Sequence, residues 1–126
     1  MLPASRSPWW LLVFVVSAAA WIGLLLLSGW LNNGAPPTVA TVLPVAQVIA
    51  AITGVLALLG ALGLRAAFVG AHVGLAIGWA QMVATFTSSG SESMADLGAV
   101  ALFLMLGGAG LVVGLIVDIV RLVRAR

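Results

Sequence analysis

VATVLPVAQVIAAITGVLALLGALGLRAAFVGAHVGLAIGWAQMVATFT, from Val39 to Thr87, decides the fold. These 49 residues carry one charge, Arg65. Wound as a single helix they would reach about 73 Å, more than twice the roughly 30 Å hydrocarbon core of a bilayer. The chain must therefore reverse near its middle, where Gly60, Gly63 and Arg65 lie. The reading is a tight helical hairpin with spans at 40–63 and 66–87, in which Gly63 is the glycine that ends the earlier helix. Pro44 is tolerable if it falls in the first turn of that helix.

Upstream, Trp9 to Leu31 is a further apolar run without a charge, long enough for one more crossing at 9–31. Trp9 and Trp10 at one end and Trp30 at the other are placed for the two interfacial belts. Asn32-Asn33-Gly34-Ala35-Pro36-Pro37 then breaks the helix with turn formers and a proline pair. Downstream, Ser88 to Ser93 is a short polar segment, and a fourth helix is expected over 94–123. Ser93 and Asp96 have the spacing of a capping box, with the carboxylate suited to a positive helix start. Ala18-Ala19-Ala20 resembles a signal-peptidase site, but hydrophobicity continues unbroken to Leu31, where a mature soluble domain would turn polar.

The rest of the composition agrees. The chain is 63% hydrophobic and 6% charged, whereas a soluble domain carries about 25% charged residues. A water-covered globule is excluded, and so is disorder, which requires polar and charged sequence. The absence of cysteine removes disulfides and cysteine-ligated metals. The expected fold is an all-α integral membrane protein: one transmembrane domain over 1–126, a small up-down bundle of four helices with short loops.

Four crossings put Arg6, Arg65, Arg121, Arg124 and Arg126 on one side and Glu92 and Asp96 on the other. Three or five crossings would scatter the arginines. The arginine bias predicts a multi-pass protein of the cell membrane with both termini cytoplasmic. Five arginines and no lysine, with abundant Ala, Gly and Val, suit a GC-rich bacterial genome and hence a bacterial inner membrane. Neither nucleic acid nor a soluble substrate is indicated as a partner. Lipids are the default partner for the arginine-rich rim.

Helical positions advance about 100° per residue, so the faces can be read. In the third span Gly70, Gly74 and Gly78 repeat every fourth residue, with Gln81 and Thr85 on the same side. In the fourth, Gly107, Gly110, Gly114, Asp118 and Arg121 share a face. The second carries small residues at Ala46, Ala50, Gly54, Ala57 and Ala61. Small side chains let backbones approach in lipid, where no hydrophobic drive holds helices together. Gly70, Gly74, Gly78, Gly110 and Gly114 are therefore the predicted packing residues.

Opposite the glycines, the third span presents Phe68, His72, Trp79 and Phe86, a stripe expected to face lipid or a partner. His72 is the only histidine, and its sharp reading is an axial ligand to haem or chlorophyll. A hydrogen bond to a neighbouring helix is the plainer one. Beyond the capping Asp96, Asp118 is the one acid inside a predicted span, with Arg121 three residues on and Arg65 close across the bundle. An ion pair among Asp118, Arg121 and Arg65 is expected, with proton or ion coupling the alternative. Gln47 and Gln81 are expected to act as interhelical hydrogen-bonding glue.

No nucleophile-base-orienter set, zinc-protease motif or phosphate loop occurs, so no lone enzyme is expected. The leading reading is an accessory subunit of a larger membrane complex, respiratory or photosynthetic, whose partners are other integral membrane subunits. The alternatives are a homo-oligomeric channel or transporter with a path near Gln81 and Asp118, and a pigment- or haem-contacting subunit through His72.

Overall fold

A computed structural model describes residues 2–89 and 93–125, apart from the side chains of Asn33 and of residues 86–97. The side chains of Phe86, Glu92, Ser93 and Asp96, and Arg126, thus lie outside the described residues, and with them the expected Ser93–Asp96 cap. Four helices are present: α1 (Trp9–Asn33), α2 (Val39–Ala61), α3 (Arg65–Ser89) and α4 (Ser93–Arg124). All four are long and apolar enough to cross a membrane. The described residues contain no strand.

The reversal between α2 and α3 follows from the glycine in it. Gly63 takes a left-handed φ of +100°. Its N–H donates to Gly60 O at 3.0 Å, and the next N–H, of Leu64, donates to Leu59 O at 2.9 Å. That doubled bond is the Schellman closure, which satisfies carbonyls a helix end leaves unpaired and which a Cβ at φ > 0 disfavours. Gly34 ends α1 in the same left-handed region, φ +67°, with its N–H on Trp30 O. Pro44 sits one turn deeper than the sequence reading put it. α2 starts at Val39, so the proline lies in the second turn inside the helix, where its ring removes the bond Ala40 O would have accepted.

The order of packing is uneven. α3 packs along α4 over most of its length, touches α2, and touches α1 through side chains; α1 and α2 form the second hairpin. Trp10 stacks edge-on against Phe68 (centroids 5.2 Å) and Trp21 edge-on against Phe103 (5.8 Å). With Ile49, Leu56, Ala57, Ala71 and Leu75 these rings form the core. Gly60 makes room for one of them, since a Cβ there would lie inside the Trp10 indole.

Two expectations are corrected at this point. Trp10 is a core residue, 4% exposed, with its indole N–H donating to Ala4 O at 3.0 Å; only Trp9 and Trp30 are exposed enough for a belt. The stripe opposite the glycines also turns inward. Phe68 is 6% exposed, and the Trp79 indole N–H donates to Ser28 Oγ on α1 at 2.9 Å. The physical reason is that α3 lies between α4 and the α1–α2 hairpin, so both of its specialised faces are covered.

Candidate functional site

The closest approach in the molecule is the α3–α4 seam. A Cβ on Gly70 would fall on Gly110 O, with Gly114 Cα 3.4 Å away; on Gly74 it would fall on Leu106 O; on Gly78 it would meet Phe103 Cα at 2.7 Å. From the other side, a Cβ on Gly110 would strike Gly70 O and one on Gly114 would strike Ala66 O. As residue numbers rise along α3 their partners fall along α4, so the pair is antiparallel. The structure therefore brings Gly70, Gly74, Gly78, Gly110 and Gly114 together, backbone against backbone. Such proximity lets dispersion act where side chains would hold helices apart.

Asp118 closes one end of this seam. It is 5% exposed, and its two carboxylate oxygens accept from the backbone N–H groups of Ala66 (3.2 Å) and Ala67 (2.9 Å). Counted from Arg65, these are the second and third residues of α3, the donors that an N-cap side chain normally satisfies. Leu64, in the cap position, has no acceptor to offer. A carboxylate from α4 does the work instead, with the additional attraction of a negative charge at a helix start. The expected ion pair of Asp118 with Arg121 and Arg65 is replaced by this arrangement. Among the described residues neither guanidinium lies within ion-pair distance of a carboxylate. The absence of Ser, Thr, Asn or Asp just before α3 was the available clue that a cap had to come from elsewhere.

Both arginines stay near the capped end. Arg65, Arg121, Val69, Gly70, Val113, Gly114 and Val117 line one groove of about 420 Å³ between α3 and α4. The N-terminal segment meets the same end, because the Arg6 N–H donates to Ala61 O, the last residue of α2, at 2.8 Å.

His72 lies elsewhere, on the inner face toward α1. Its Nδ1 is 2.9 Å from Phe68 O; a carbonyl only accepts, so Nδ1 carries the proton. Nε2, the atom an axial ligand would use, is buried and has no hydrogen-bond partner. The ring stacks tilted on Phe68 at 4.3 Å and faces Trp21 at 6.5 Å. An axial bond to haem or chlorophyll does not fit this arrangement, because Nε2 is covered by protein. No group of three His, Asp or Glu side chains gathers among the described residues either.

Gln47 and Gln81 are exposed, and their amides make no hydrogen bond among the described residues. The interhelical bond that sequence reasoning missed is Trp79 to Ser28, whose own hydroxyl donates to Leu24 O at 2.7 Å. Gln81 also stands about 21 Å from the Asp118 end, fourteen residues beyond Ala67 along α3. Between them the seam is filled by touching backbone. Among the described residues of one chain no polar route joins the two.

The fold and site define a class, a multi-pass all-α membrane protein built on a glycine-packed antiparallel helix pair. No protein-family model matches the sequence, and no curated protein or solved structure is detectably similar to it.

Proposed function

We propose that this protein is an accessory subunit of a larger membrane complex, acting by helix packing in the bilayer and seated in a bacterial inner membrane with both termini cytoplasmic. One observation carries the reading: α4 lays its backbone against α3 alone and leaves a long apolar face unpaired. Val112, Val113, Ile116, Ile119 and Val120 are all exposed along that face. The glycine-seated pair holds it rigid, and a rigid, preorganised face loses little entropy when it docks on another helix. The shared end of the N-terminal segment, the α2–α3 turn and the α4 C-terminus supports the orientation, since it gathers Arg6, Arg65, Arg121 and Arg124.

The test is site-specific photocrosslinking in native membranes. A photoreactive residue at Val112 or Ile116 is expected to give one discrete protein adduct, while one at Val15 or Val16 on α1 gives only lipid. Lipid adducts from all four positions, or adducts only to a second copy of the same chain, would overturn the subunit reading. Cysteine labelling in intact cells tests the orientation: Leu64→Cys and Arg124→Cys should be protected and Pro36→Cys labelled.

A further inference from the structure

The Arg65–Arg121 groove has an unusual charge balance. Two guanidiniums line it, and the neighbouring carboxylate, Asp118, next to the lining residue Val117, is committed to the Ala66 and Ala67 N–H groups. The three charges leave one net positive, which a phosphodiester monoanion would cancel. Below the arginines the groove is wholly apolar. Val69, Val113 and Val117, with Ala66 and with Leu2 of the N-terminal segment, form its walls, and Gly70 and Gly114 contribute no side chains to fill it.

We propose that this groove is a binding site for one anionic phospholipid. Arg65 and Arg121 hold the phosphate, and an acyl chain lies along the cleft between α3 and α4. Arginine suits the task because its planar fork donates to two phosphate oxygens at once. Basic clefts between membrane helices are a recurrent form of headgroup recognition. The complementarity is specific to this end of the bundle. The apolar groove among the four helices, lined in part by Leu25, Ile49, Met82 and Phe103, has no charged residue in its lining. The bound lipid would lie against the outer edge of the seam and add a third apolar surface where α3 and α4 meet. The site requires only that the chain be in a membrane, so it stands or falls separately from the subunit reading.

The experiment is native mass spectrometry of the full chain in mild non-ionic detergent, titrated with phosphatidylglycerol and with phosphatidylcholine. The wild type is expected to bind the anionic lipid at least tenfold more tightly. Each arginine contributes about fivefold, so the double variant Arg65→Gln/Arg121→Gln should bind phosphatidylglycerol roughly 25-fold more weakly. The Arg65→Lys/Arg121→Lys variant should keep most of the preference, and Arg124→Gln should change binding less than twofold. Val113→Trp fills the cleft without touching a charge, so it tests the acyl contact even if the arginine variants misfold. It should weaken phosphatidylglycerol binding by a similar factor. Equal binding of the two lipids by the wild type, or unchanged phosphatidylglycerol affinity in either the Gln/Gln or the Val113→Trp protein, overturns the proposal. So does displacement of the lipid by millimolar inorganic phosphate, which would make the site one for free phosphate.

Discussion

Replacing Gly74 by alanine is the most direct test of the seam. The new Cβ would fall on Leu106 O, with Leu106 C at 2.8 Å and Gly107 Cα at 3.1 Å. Those neighbours are backbone, so no side chain can swing aside. Relieving the 2.8 Å contact alone to an ordinary 3.4 Å separates the helices locally by roughly 0.6 Å, and the nearer Leu106 O demands more. A gap of about 0.5–1 Å forfeits a quarter to a half of the dispersion well for each atom pair it opens. Overpacking of this kind costs about 1–3 kcal/mol. Alanine's better helix propensity works in the opposite direction by up to about 1 kcal/mol. Gly108→Ala supplies the reference: it lies on α4 one residue from the seam, and a Cβ there meets nothing within 4 Å. The propensity gain is common to both substitutions and cancels in their difference. Gly74→Ala should therefore be less stable than Gly108→Ala by about 2 kcal/mol. The assay is reversible unfolding in mixed micelles of increasing SDS fraction, followed by circular dichroism. A difference under about 0.5 kcal/mol would refute the claim that backbone contact holds α3 to α4.

Three further outcomes follow from the same geometry. Asp118→Ala leaves the Ala66 and Ala67 donors unsatisfied and should cost about 1–3 kcal/mol in that assay, Asp118→Asn about half as much, and Arg121→Gln almost nothing; equal losses for Asp118→Ala and Arg121→Gln would restore the ion-pair explanation. A double-mutant cycle of Trp79→Phe with Ser28→Ala should return a coupling of about 0.6 kcal/mol and at most about 1.7 kcal/mol, and a coupling near zero would show that the indole N–H is satisfied elsewhere. His72→Phe replaces a ring whose buried Nε2 has no partner with an apolar one of similar size, so stability should change by less than about 1 kcal/mol; a visible absorbance band in the purified wild type that disappears in His72→Phe would show that the ring opens to a ligand.

The span count was written in the sequence because bilayer thickness leaves few ways to place 49 residues with one charge, and Gly63 marked the reversal through the one conformation that its neighbours take poorly. The glycine spacing on α3 and α4 was also visible, since every fourth position returns to one face. What was not visible was which faces meet. The same alternation places Phe68, His72 and Trp79 opposite the glycines, and sequence alone does not say whether aromatic rings end in lipid or against α1. Trp10 was misread for a related reason: position at a helix end suggests the interface, but the space opened by Gly60 on α2 draws the ring inward. The partner of Asp118 was hidden by chain distance, because its donors lie 51 and 52 residues away.

One pattern connects these misreadings. In water the most apolar helix is the most buried; in a bilayer lipid is as apolar as leucine, and burial follows specialised packing groups instead. α3 is the least apolar of the four spans and the one with the largest buried share. It holds the triple glycine face, the histidine, a hydrogen-bonded tryptophan and the end capped by Asp118. A span with distinctive residues on two opposite faces keeps the strip of Val69, Val73 and Ile77 between them exposed. By the same rule α4, whose seam glycines and Asp118 share one face, has its backbone committed to one neighbour. Its remaining surface, exposed from Val112 to Val120, is the face on which the proposed partner helix would dock.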